Sequence, residues 1–496
     1  MKKYDIAIIG GGFSGLMSAA ILSKHGYSVC LLEKEKKVGG NLQTFRRFGK
    51  TFNTGLHYVG ALDNGQILNK IFKYVGVYDK ISLKPLDNDC FDKIIIDKKE
   101  YCSVTGFDNY ENNLKRLFPN DVEDISQYMN KIKEVWNSNP YLNLRDIDES
   151  IVVTEAFDND GLMDVVNSVI KNEELKSLLL ANNALYAGDP ERTPFYIHAL
   201  ITSLFIQSAY TISGGSHNLV NAFVEVLQEQ NVDILTNKKV SKITTENGVA
   251  KKIITEDNTE IQADIIFSSV HPAVSVSWFE EGVFRKIFLN RISSLKNTAS
   301  SFVLYLSFKP KSFKHYNNNH FIYNTSDVFG AVYEKNEWPK SIIFYTTEDK
   351  ENIGYAESAT AIAFMNFEEV EKWKDKSFRK GNEEYDSFKR EKSDKIIKLL
   401  SKSFQDIETS VENYATSTPL TYLDYTGIPE GSMYGIAKDY TNQVGTYMPI
   451  DTRVSNFKLM GQSIGLHGIM GVAMNSVLAC SKIVGINKLI SEIREF

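Results

Sequence analysis

Cysteine is scarce in this sequence, with 4 among 496 residues. None of the four forms a close pair with another, and no His-x-x-x-His pattern accompanies them, so the sequence predicts no metal site. Cys30 falls in an apolar run, where a cysteine usually serves as a small buried hydrophobic residue. The four cysteines are Cys30, Cys90, Cys102 and Cys480.

The chain also lacks a surplus of positive charge, since 56 lysine and arginine residues are outnumbered by 62 aspartate and glutamate residues. A nucleic-acid partner is therefore not expected. The two longest uncharged stretches, residues 195–223 and 459–481, are interrupted by glycine and polar residues, and we interpret both as buried core rather than membrane spans. The first residues form no signal peptide, so the sequence predicts a cytoplasmic protein.

A chain of 496 residues is too long for one hydrophobic core, so two or more domains are expected. Aromatic residues make up 12% of it, which suits a large apolar pocket. An acidic run, residues 146–160, is predicted to be exposed surface. His198 lies in an apolar helical pattern. Two interpretations stay open for it, a buried core histidine and a substrate contact.

The strongest pattern lies at the start of the chain. A short apolar run, residues 4–9, leads into Gly10-Gly11-Gly12-Phe13-Ser14-Gly15, which has the form G-x-G-x-x-G. A helical pattern and a second apolar run, residues 27–32, follow, and Glu33 ends that run. This order of strand, turn, helix, strand and acid predicts a βαβ unit that binds a dinucleotide.

Each residue type in this unit has a physical role. Gly10 permits the tight turn out of the strand, Gly12 lets a pyrophosphate approach the backbone, and Gly15 lets the helix pack closely on the sheet. The helix N-terminus offers free N–H groups to the phosphates. Glu33 can accept hydrogen bonds from a ribose diol, and its charge disfavours the 2′-phosphate of NADP.

A second set of small residues follows the βαβ unit: Gly39, Gly40, Thr44, Gly49 and Gly55. With the leading motif, these positions resemble the FAD-binding signature of the flavin amine oxidase and phytoene desaturase superfamily. The segment from Gly55 to Gly60, GLHYVG, is most similar to its retinol saturase and carotenoid isomerase branch. Two positions depart from the pattern, because Asn41 stands where many relatives have arginine and Asn53 where many have aspartate.

The resemblance implies an α/β fold, in which a Rossmann-like FAD-binding domain of the glutathione-reductase type carries an inserted α+β substrate domain. Residues 1–75, 206–275 and 446–496 would form the FAD-binding domain. Residues 76–205 would form the helical part of the substrate or lid domain, and residues 276–445 its β-rich part.

Within these segments we predict strands and helices from hydrophobic periodicity. The predicted strands are 93–96, 100–103, 232–235, 239–244, 250–254, 261–270, 301–308, 340–346 and 359–366. The predicted helices are 110–136, 161–184, 216–230, 385–404 and 472–484.

In relatives, the closing strand, turn and helix place a helix N-terminus against the flavin ring, where its dipole stabilises negative charge. The resemblance assigns the following residues to FAD: Gly10, Gly12, Phe13, Ser14, Gly15, Glu33, Lys34, Gly39, Gly40, Asn41, Gly55, Leu56, Val240, Ser269, Gly461, Gln462 and Gly471.

No nucleophilic triad is evident, so the chemistry is expected to come from the flavin. His57 and Tyr58 closely follow Gly55 and are expected at the flavin edge, where either could donate a proton to carbon. The other interpretation is that they only brace the loop. His467 is a third candidate, and the alternative there is that it fills space among glycines.

The resemblance implies an FAD-dependent oxidoreductase that saturates, isomerises or desaturates C=C or C–C bonds of a hydrophobic polyene, isoprenoid or related lipid. Only one dinucleotide site is visible, so electrons would come from transiently bound NAD(P)H or from a protein donor. A lipid-like substrate is also compatible with peripheral membrane contact. Two alternatives stay open, a flavin amine oxidase and a non-catalytic protein of the same fold that binds prenyl or lipid groups.

Overall fold

The computed structural model describes residues 3–147 and 160–496. The prediction for the acidic run, residues 146–160, therefore falls almost entirely outside the described residues.

The strands are numbered along the chain. They are β1 (Lys3–Ile9), β2 (Val29–Leu32), β3 (Thr44–Arg47), β4 (Lys50–Asn53), β5 (Val59–Gly60), β6 (Leu83–Pro85), β7 (Asp92–Ile96), β8 (Lys99–Ser103), β9 (Ala209–Ile212), β10 (Asp233–Leu235), β11 (Val240–Glu246), β12 (Val249–Thr255), β13 (Glu260–Ser268), β14 (Ser300–Phe308), β15 (Asn319–Tyr323), β16 (Ser341–Glu348), β17 (Ala356–Met365), β18 (Val411–Ser417) and β19 (Phe457–Leu459).

The α-helices are numbered in the same way. They are α1 (Phe13–Lys24), α2 (Ile67–Tyr74), α3 (Phe107–Leu117), α4 (Val122–Ser138), α5 (Leu162–Val169), α6 (Glu173–Leu180), α7 (Phe195–Gln207), α8 (His217–Glu229), α9 (Pro272–Ser277), α10 (Lys286–Ser294), α11 (Glu383–Leu400), α12 (Ile407–Ser410), α13 (Pro419–Thr426), α14 (Gln443–Thr446), α15 (Gly468–Val484) and α16 (Ile486–Arg494).

The first sheet is built around β1. Its order is β10-β2-β1-β13-β12-β11, with β19 also paired to β13. The strands β10, β2, β1, β13 and β19 run parallel, and β12 and β11 continue from β13 as antiparallel neighbours. All four residues of β2 are buried, as expected for a parallel strand covered on both faces. The unit β1-α1-β2 is the predicted βαβ unit.

The two ends of the chain share one core. Helix α1 packs against α15, where the hydroxyl oxygens of Ser14 and Ser476 lie 3.1 Å apart although the residues are separated by 462 positions. Near them, Ser18 donates a hydrogen bond to the sulfur of Met460 at 3.3 Å. Since β19 also pairs with β13 beside β1, the carboxy-terminal segment completes the amino-terminal layer.

The second sheet has the order β18-β14-β17-β16-β15-β7-β8. Its neighbours are antiparallel except for the parallel pair β15 and β7. Every residue of β14 and β15 is buried, so this sheet has its own core. With one mainly parallel and one mainly antiparallel sheet, the predicted α/β fold with an inserted α+β part is confirmed. The division into five segments stays a prediction.

The predicted helix 110–136 is wrong as a single element. The chain forms α3 and α4 there, separated at Pro119, because proline has no N–H to donate and disfavours helical geometry in the residue before it. Helix α15 begins at Gly468, four residues before the predicted start at residue 472. Strand β15 was not predicted from the sequence.

The two long uncharged stretches are buried core, as predicted. Most residues of α7 and α15 are buried, and no helix in residues 3–147 and 160–496 is long and apolar enough to cross a bilayer. His198 is a satisfied core residue, since its ring nitrogens lie 2.7 Å from the hydroxyl of Tyr128 and 3.0 Å from that of Tyr186.

The cysteines divide into two kinds. Cys30 is fully buried in β2, which confirms the prediction for it. Cys90 and Cys102 form a disulfide next to the hairpin β7–β8, which was not predicted from the sequence. Their separation of 12 residues carries no motif, and only the antiparallel pairing of that hairpin brings them together.

Candidate cofactor and substrate site

The turn after β1 has the geometry predicted for its three glycines. Gly10 has φ +104°, a value that favours glycine, and a methyl group on Gly15 would lie 2.0 Å from the Gly10 carbonyl oxygen. A methyl group on Gly12 would meet no atom within 4 Å. Thus Gly10 and Gly15 are held by the protein's own packing, whereas the space above Gly12 is open.

Helix α1 begins directly at this open space. No described side chain caps its N-terminus, and its first turn contains no acidic residue. Gly39 runs beside it, donating from its N–H to the Gly11 carbonyl at 2.7 Å, and Gly40 packs against Gly12. The free N–H groups and helix dipole suit an anion such as a pyrophosphate. We call Gly10–Gly15 together with Gly39 and Gly40 the glycine cradle.

Glu33 lies at the end of β2 with its carboxylate turned toward the glycine cradle. One oxygen accepts from the Gly11 N–H and the other from the Glu35 N–H, both at 2.8 Å. Burial raises the pKa of this carboxyl, although the two amide hydrogen bonds oppose the shift. The loop before β11 closes over it, since Lys238 donates its N–H to the Glu33 carbonyl at 2.8 Å, two residues before Val240.

Of four further predicted residues, Ser269 and Gly461 lie behind the glycine cradle, whereas the side chains of Phe13 and Lys34 make other contacts. Ser269 donates its hydroxyl to the Gly10 carbonyl at 3.0 Å, and a methyl group on Gly461 would lie 3.1 Å from the Ser269 carbonyl oxygen. The ring of Phe13 packs against Phe72 and Phe223, so this side chain belongs to the core. Lys34 reaches away to the Asp424 carbonyl at 3.2 Å.

A second space, which we call the inner cavity, lies where the first and last segments of the chain meet. It has a volume of about 150 Å³. Many predicted residues line it, and most of its other walls are apolar or aromatic. The predicted residues are Asn41, Gly55, Leu56, His57, Tyr58, His467 and Gly471, and the additional walls include Leu200, Leu204, Phe205, Ile343, Tyr345, Ile362, Met433 and Tyr434.

The two residues that depart from the family pattern lie in different places. Asn41 lines the inner cavity and its carbonyl accepts from the Thr54 hydroxyl at 3.2 Å. Asn53 does not line it. Its side-chain oxygen accepts from the N–H and the hydroxyl of Ser216, at 2.9 and 3.1 Å, and so holds the start of α8.

His57 presents an unused nitrogen inside the inner cavity. Its ring stacks on Tyr345 with centroids 4.2 Å apart, and its Nε2 is buried without a hydrogen-bond partner among the described residues. Burial lowers the pKa of His57 to about 4, so the ring is neutral near pH 7. An orphaned buried nitrogen is expected to meet a polar atom of a bound group.

Tyr58 connects the inner cavity to a buried acid. Its ring stacks on Phe205 at 4.3 Å, and its hydroxyl donates to the Asp92 carboxylate at 3.0 Å. Asp92 is 4% exposed and also accepts from the Asn319 amide at 2.7 Å. Asp92 was not predicted from the sequence, where its only signal is an acidic residue two positions before a run of three isoleucines.

His467 is the third predicted catalytic residue, and it stacks on Tyr434 with centroids 4.3 Å apart. Burial, with a smaller effect of nearby Lys438, lowers the pKa of His467 to about 3. Lys438 was also missed. Its ammonium donates to the carbonyls of Thr446 and Ser463, at 2.9 and 3.1 Å, and burial lowers its pKa to about 7.

These features fit a flavin dinucleotide. The glycine cradle offers an open anion site, Glu33 offers a carboxylate, and the inner cavity offers apolar walls with one orphaned nitrogen. A larger cavity of about 480 Å³, whose walls include Arg192, Arg291 and Glu430, contains none of the predicted residues.

Comparisons with curated proteins agree with this geometry. The human all-trans-retinol 13,14-reductase is 24% identical over 99% of this chain and 87% of its own length. The zebrafish (Danio rerio) all-trans-retinol 13,14-reductase is 22% identical over 97% of this chain and 86% of its own length. A 4,4'-diapophytoene desaturase of Methylomonas is 23% identical over 61% of this chain and 60% of its own.

Solved structures share the fold. An oxidoreductase from Methanosarcina mazei superposes with a TM-score of 0.64 at 16% identity, covering 96% of this chain and 99% of the other. The cyclohexylamine oxidase of Brevibacterium oxydans superposes with a TM-score of 0.62 at 16% identity, covering 100% of this chain and 99% of the other.

The family described as flavin containing amine oxidoreductase matches residues 13–361. That range is more than half of the chain and confirms the resemblance seen in the sequence. The chain therefore belongs to the flavin containing amine oxidoreductase family and is a flavin-dependent oxidoreductase.

Proposed function

We propose that this chain is an FAD-dependent oxidoreductase that saturates a C=C bond of a hydrophobic polyene, isoprenoid or related lipid. The observation that carries the proposal is an apolar inner cavity beside the glycine cradle, with Tyr58 in its wall hydrogen-bonded to the buried Asp92 carboxyl behind it. Saturation is favoured over desaturation or isomerisation because the retinol 13,14-reductases match nearly the whole chain, whereas the two diapophytoene desaturases match 52–61% of it.

The cofactor is assigned to FAD, with its pyrophosphate at the glycine cradle and its ribose at Glu33. The turn from Gly461 to Gly471 would hold its ring. A bound flavin supplies hydride transfer to or from carbon. To saturate a C=C bond, the protein must supply an apolar site and a proton for the second carbon.

Among the candidates, Tyr58 is the best proton donor. The low pKa values of His57 and His467, about 4 and about 3, keep both rings neutral, so neither carries an acidic proton near pH 7. They serve to orient the flavin and the substrate by hydrogen bonding and stacking. Tyr58 alone has a hydroxyl bonded to a buried acid.

The size of the inner cavity sets a condition on binding. Its volume of about 150 Å³ is below the range of roughly 300–1,000 Å³ found for sites that enclose drug-sized ligands. A flavin ring and a polyene can therefore share it only if lining side chains move.

Electrons are supplied by NAD(P)H that binds transiently or by a protein donor. A cytoplasmic location stays a prediction, and the disulfide between Cys90 and Cys102 counts against it, because disulfides are rare in reducing compartments. Alkylating thiols during cell lysis tests this point: four labelled cysteines support a reducing compartment, and two labelled cysteines an oxidising one.

Peripheral membrane contact is proposed for the surface of α10. Ile287 is 78% exposed and follows the exposed basic residues Arg285 and Lys286. Sedimentation with anionic vesicles should be weakened by Ile287→Asp. Ile353→Asp is the matched control and should have no effect, because Ile353 is 73% exposed in the turn between β16 and β17, away from α10. Equal binding by both variants and the wild type would contradict the proposal.

The main test uses the flavin-loaded protein, reduced without oxygen and mixed with all-trans-retinol and longer polyenes. We expect flavin reoxidation together with a product that has gained two hydrogens, as detected by mass spectrometry. Hydrogen peroxide release from a panel of amines, without polyene reduction, would instead identify an amine oxidase. A colourless protein that takes up no FAD would indicate a non-catalytic lipid binder.

A further inference from the structure

The carboxyl group of Asp92 is unusual because it is buried without a positive partner in residues 3–147 and 160–496. Its two hydrogen-bond donors are the hydroxyl of Tyr58 and the amide of Asn319, both uncharged. Burial outweighs these bonds and raises the pKa of Asp92 to about 7. Near neutral pH, a large fraction of the protein therefore carries Asp92 as a neutral carboxylic acid.

The other titratable groups that face Asp92 are also neutral. They are the hydroxyls of Tyr110 on α3, Tyr323 on β15 and Tyr345 on β16, whose own pKa values lie above the ordinary value because of burial. Neither a lysine nor an arginine acts on the Asp92 carboxyl among the described residues. Nothing around it therefore favours the ionised form strongly.

Protonation of Asp92 changes the direction of the hydrogen bond to Tyr58. When Asp92 is ionised, the Tyr58 hydroxyl must donate to it. When Asp92 is protonated, the carboxyl O–H can donate to the Tyr58 oxygen across the same 3.0 Å, which frees the phenol proton for the inner cavity. The protonated acid thus prepares Tyr58 as a donor.

Tyr58 needs such a partner. Its pKa is raised well above the ordinary value by burial, so a phenolate left behind after proton transfer would be costly. A second proton that arrives as the first one leaves removes this cost. Asp92 is in hydrogen-bond contact with the Tyr58 oxygen and can supply it.

We propose that Asp92 is a positioning residue and proton reservoir for Tyr58, which gives the proton to the substrate. This inference rests on the proposed function. The π bond of the substrate breaks and two C–H bonds form, one from a hydride supplied by the reduced flavin and one from the Tyr58 proton. Tyr58 regains a proton from Asp92, and the Asp92 carboxylate is reprotonated by water before the next turnover.

The first measurement is independent of activity. Infrared difference spectra of the purified protein should show a protonated carboxyl band that titrates near pH 7 and is missing in Asp92→Asn. Tyr58→Phe should shift this band, because the carboxyl loses its partner. The shift also keeps the test valid if Asp92→Asn does not fold. An absent band, or one that Tyr58→Phe leaves unchanged, would overturn the proposal.

The second measurement is the rate at which a polyene reoxidises the reduced flavin. We expect Asp92→Asn to lower this rate by about 100-fold, the lower end of general acid catalysis, with unchanged flavin content. The wild-type rate should fall as pH rises through about 7, whereas the Asp92→Asn rate should not. The double variant with Tyr58→Phe should be no slower than the slower single variant.

Tyr110→Phe is the matched control, because it removes a buried hydroxyl that faces the same carboxyl without a hydrogen bond to it. It should keep the wild-type rate and pH profile. A wild-type protein active on polyenes whose rate and pH profile survive Asp92→Asn overturns this inference alone. A wild-type protein inactive on every polyene overturns the proposed function instead.

Discussion

The glycine cradle and the inner cavity are neighbours but are built in different ways. The glycine cradle comes from residues 10–40, and its contacts are made mostly by backbone atoms. The inner cavity is lined by residues that are far apart in the sequence, at positions 41, 54–60, 185, 200–205, 343–362, 422, 433–434 and 466–471. The first is therefore specified by local sequence, whereas the second exists only once the whole chain has folded.

The sharpest test of this contrast is a pair of glycine substitutions. Gly15→Ala places a methyl group 2.0 Å from the Gly10 carbonyl, so we expect it to lower the free energy of unfolding by about 3 kcal/mol or more and to abolish FAD binding. Denaturant unfolding and the bound flavin content of the purified protein measure the two effects.

Gly12→Ala is the matched control in the same motif. Its methyl group meets no atom within 4 Å and its φ of −73° is open to alanine, so the stability without flavin should change by less than about 1 kcal/mol. FAD affinity should still fall at least tenfold, because the methyl group fills the phosphate space. Normal FAD binding by Gly12→Ala would place the pyrophosphate elsewhere.

The next largest effect on stability is expected at Lys438, which donates a hydrogen bond to the Ser463 carbonyl near the last segment of the inner cavity. The folded-state pKa of about 7 lies below the unfolded value of 10.5, so the unfolded state binds more protons between these values. The wild-type free energy of unfolding should therefore rise, relative to Lys438→Met, by a few kcal/mol from about pH 7 to about pH 10.5. Below pH 7 the difference should be constant.

Lys392 on α11 provides the opposite case. It is also buried, but its ammonium pairs with Glu369 at 2.6 Å, and this pairing opposes the lowering of its pKa by burial. Lys392→Met should destabilise the protein by about 3 kcal/mol at pH 7, because the buried Glu369 carboxylate loses its positive partner and keeps the neutral Tyr333 hydroxyl. If Lys438→Met is destabilising to the same extent and without the pH dependence, Lys438 has a charged partner in the folded protein.

The sequence could predict the glycine cradle because each position answers a local requirement. Gly10, Gly12, Gly15 and Glu33 follow from the order strand, turn, helix, strand. The structure places the three glycines at the turn after β1, and the Glu33 carboxylate reaches that turn from the end of β2. The meeting of the two chain ends was also predictable, but only through the family resemblance. Neither conclusion needed side-chain packing.

The inner cavity could be predicted only in part. His57 and Tyr58 were found because they follow Gly55 in a recognisable segment. Asp92 and Lys438 were missed because their importance comes from burial, and burial depends on strands and loops that are distant in sequence. The pairing of Cys90 with Cys102 was missed for the same reason.

A smaller effect, on FAD affinity, is expected at Glu33, whose side chain contacts the backbone of the glycine cradle. Burial raises the pKa of Glu33, so FAD affinity should fall as pH is lowered through that raised value and the carboxylate loses its charge. Glu33→Gln should bind FAD about tenfold more weakly, or about 1.4 kcal/mol, and should lose the pH dependence. Calorimetric titration of the flavin-free protein measures both.

Glu35→Gln is the control for this experiment, since Glu35 is partly exposed and its side chain lies 3.6 Å from Lys34. Its FAD affinity should match that of the wild type at every pH. A pH-dependent loss in both variants would assign the effect to the net charge of the segment rather than to the Glu33 carboxylate.

The smallest effect is expected at Asn53, where this chain departs from its relatives. Its side-chain oxygen acts only as an acceptor, for the N–H and hydroxyl of Ser216, and an aspartate can accept the same bonds. Asn53→Asp should therefore change the unfolding free energy by less than about 0.5 kcal/mol and leave FAD affinity unchanged, whereas Asn53→Leu should cost about 1–3 kcal/mol. A tenfold gain in FAD affinity with Asn53→Asp would mean that the aspartate of relatives contacts the cofactor, and that the local origin of the glycine cradle has been overstated.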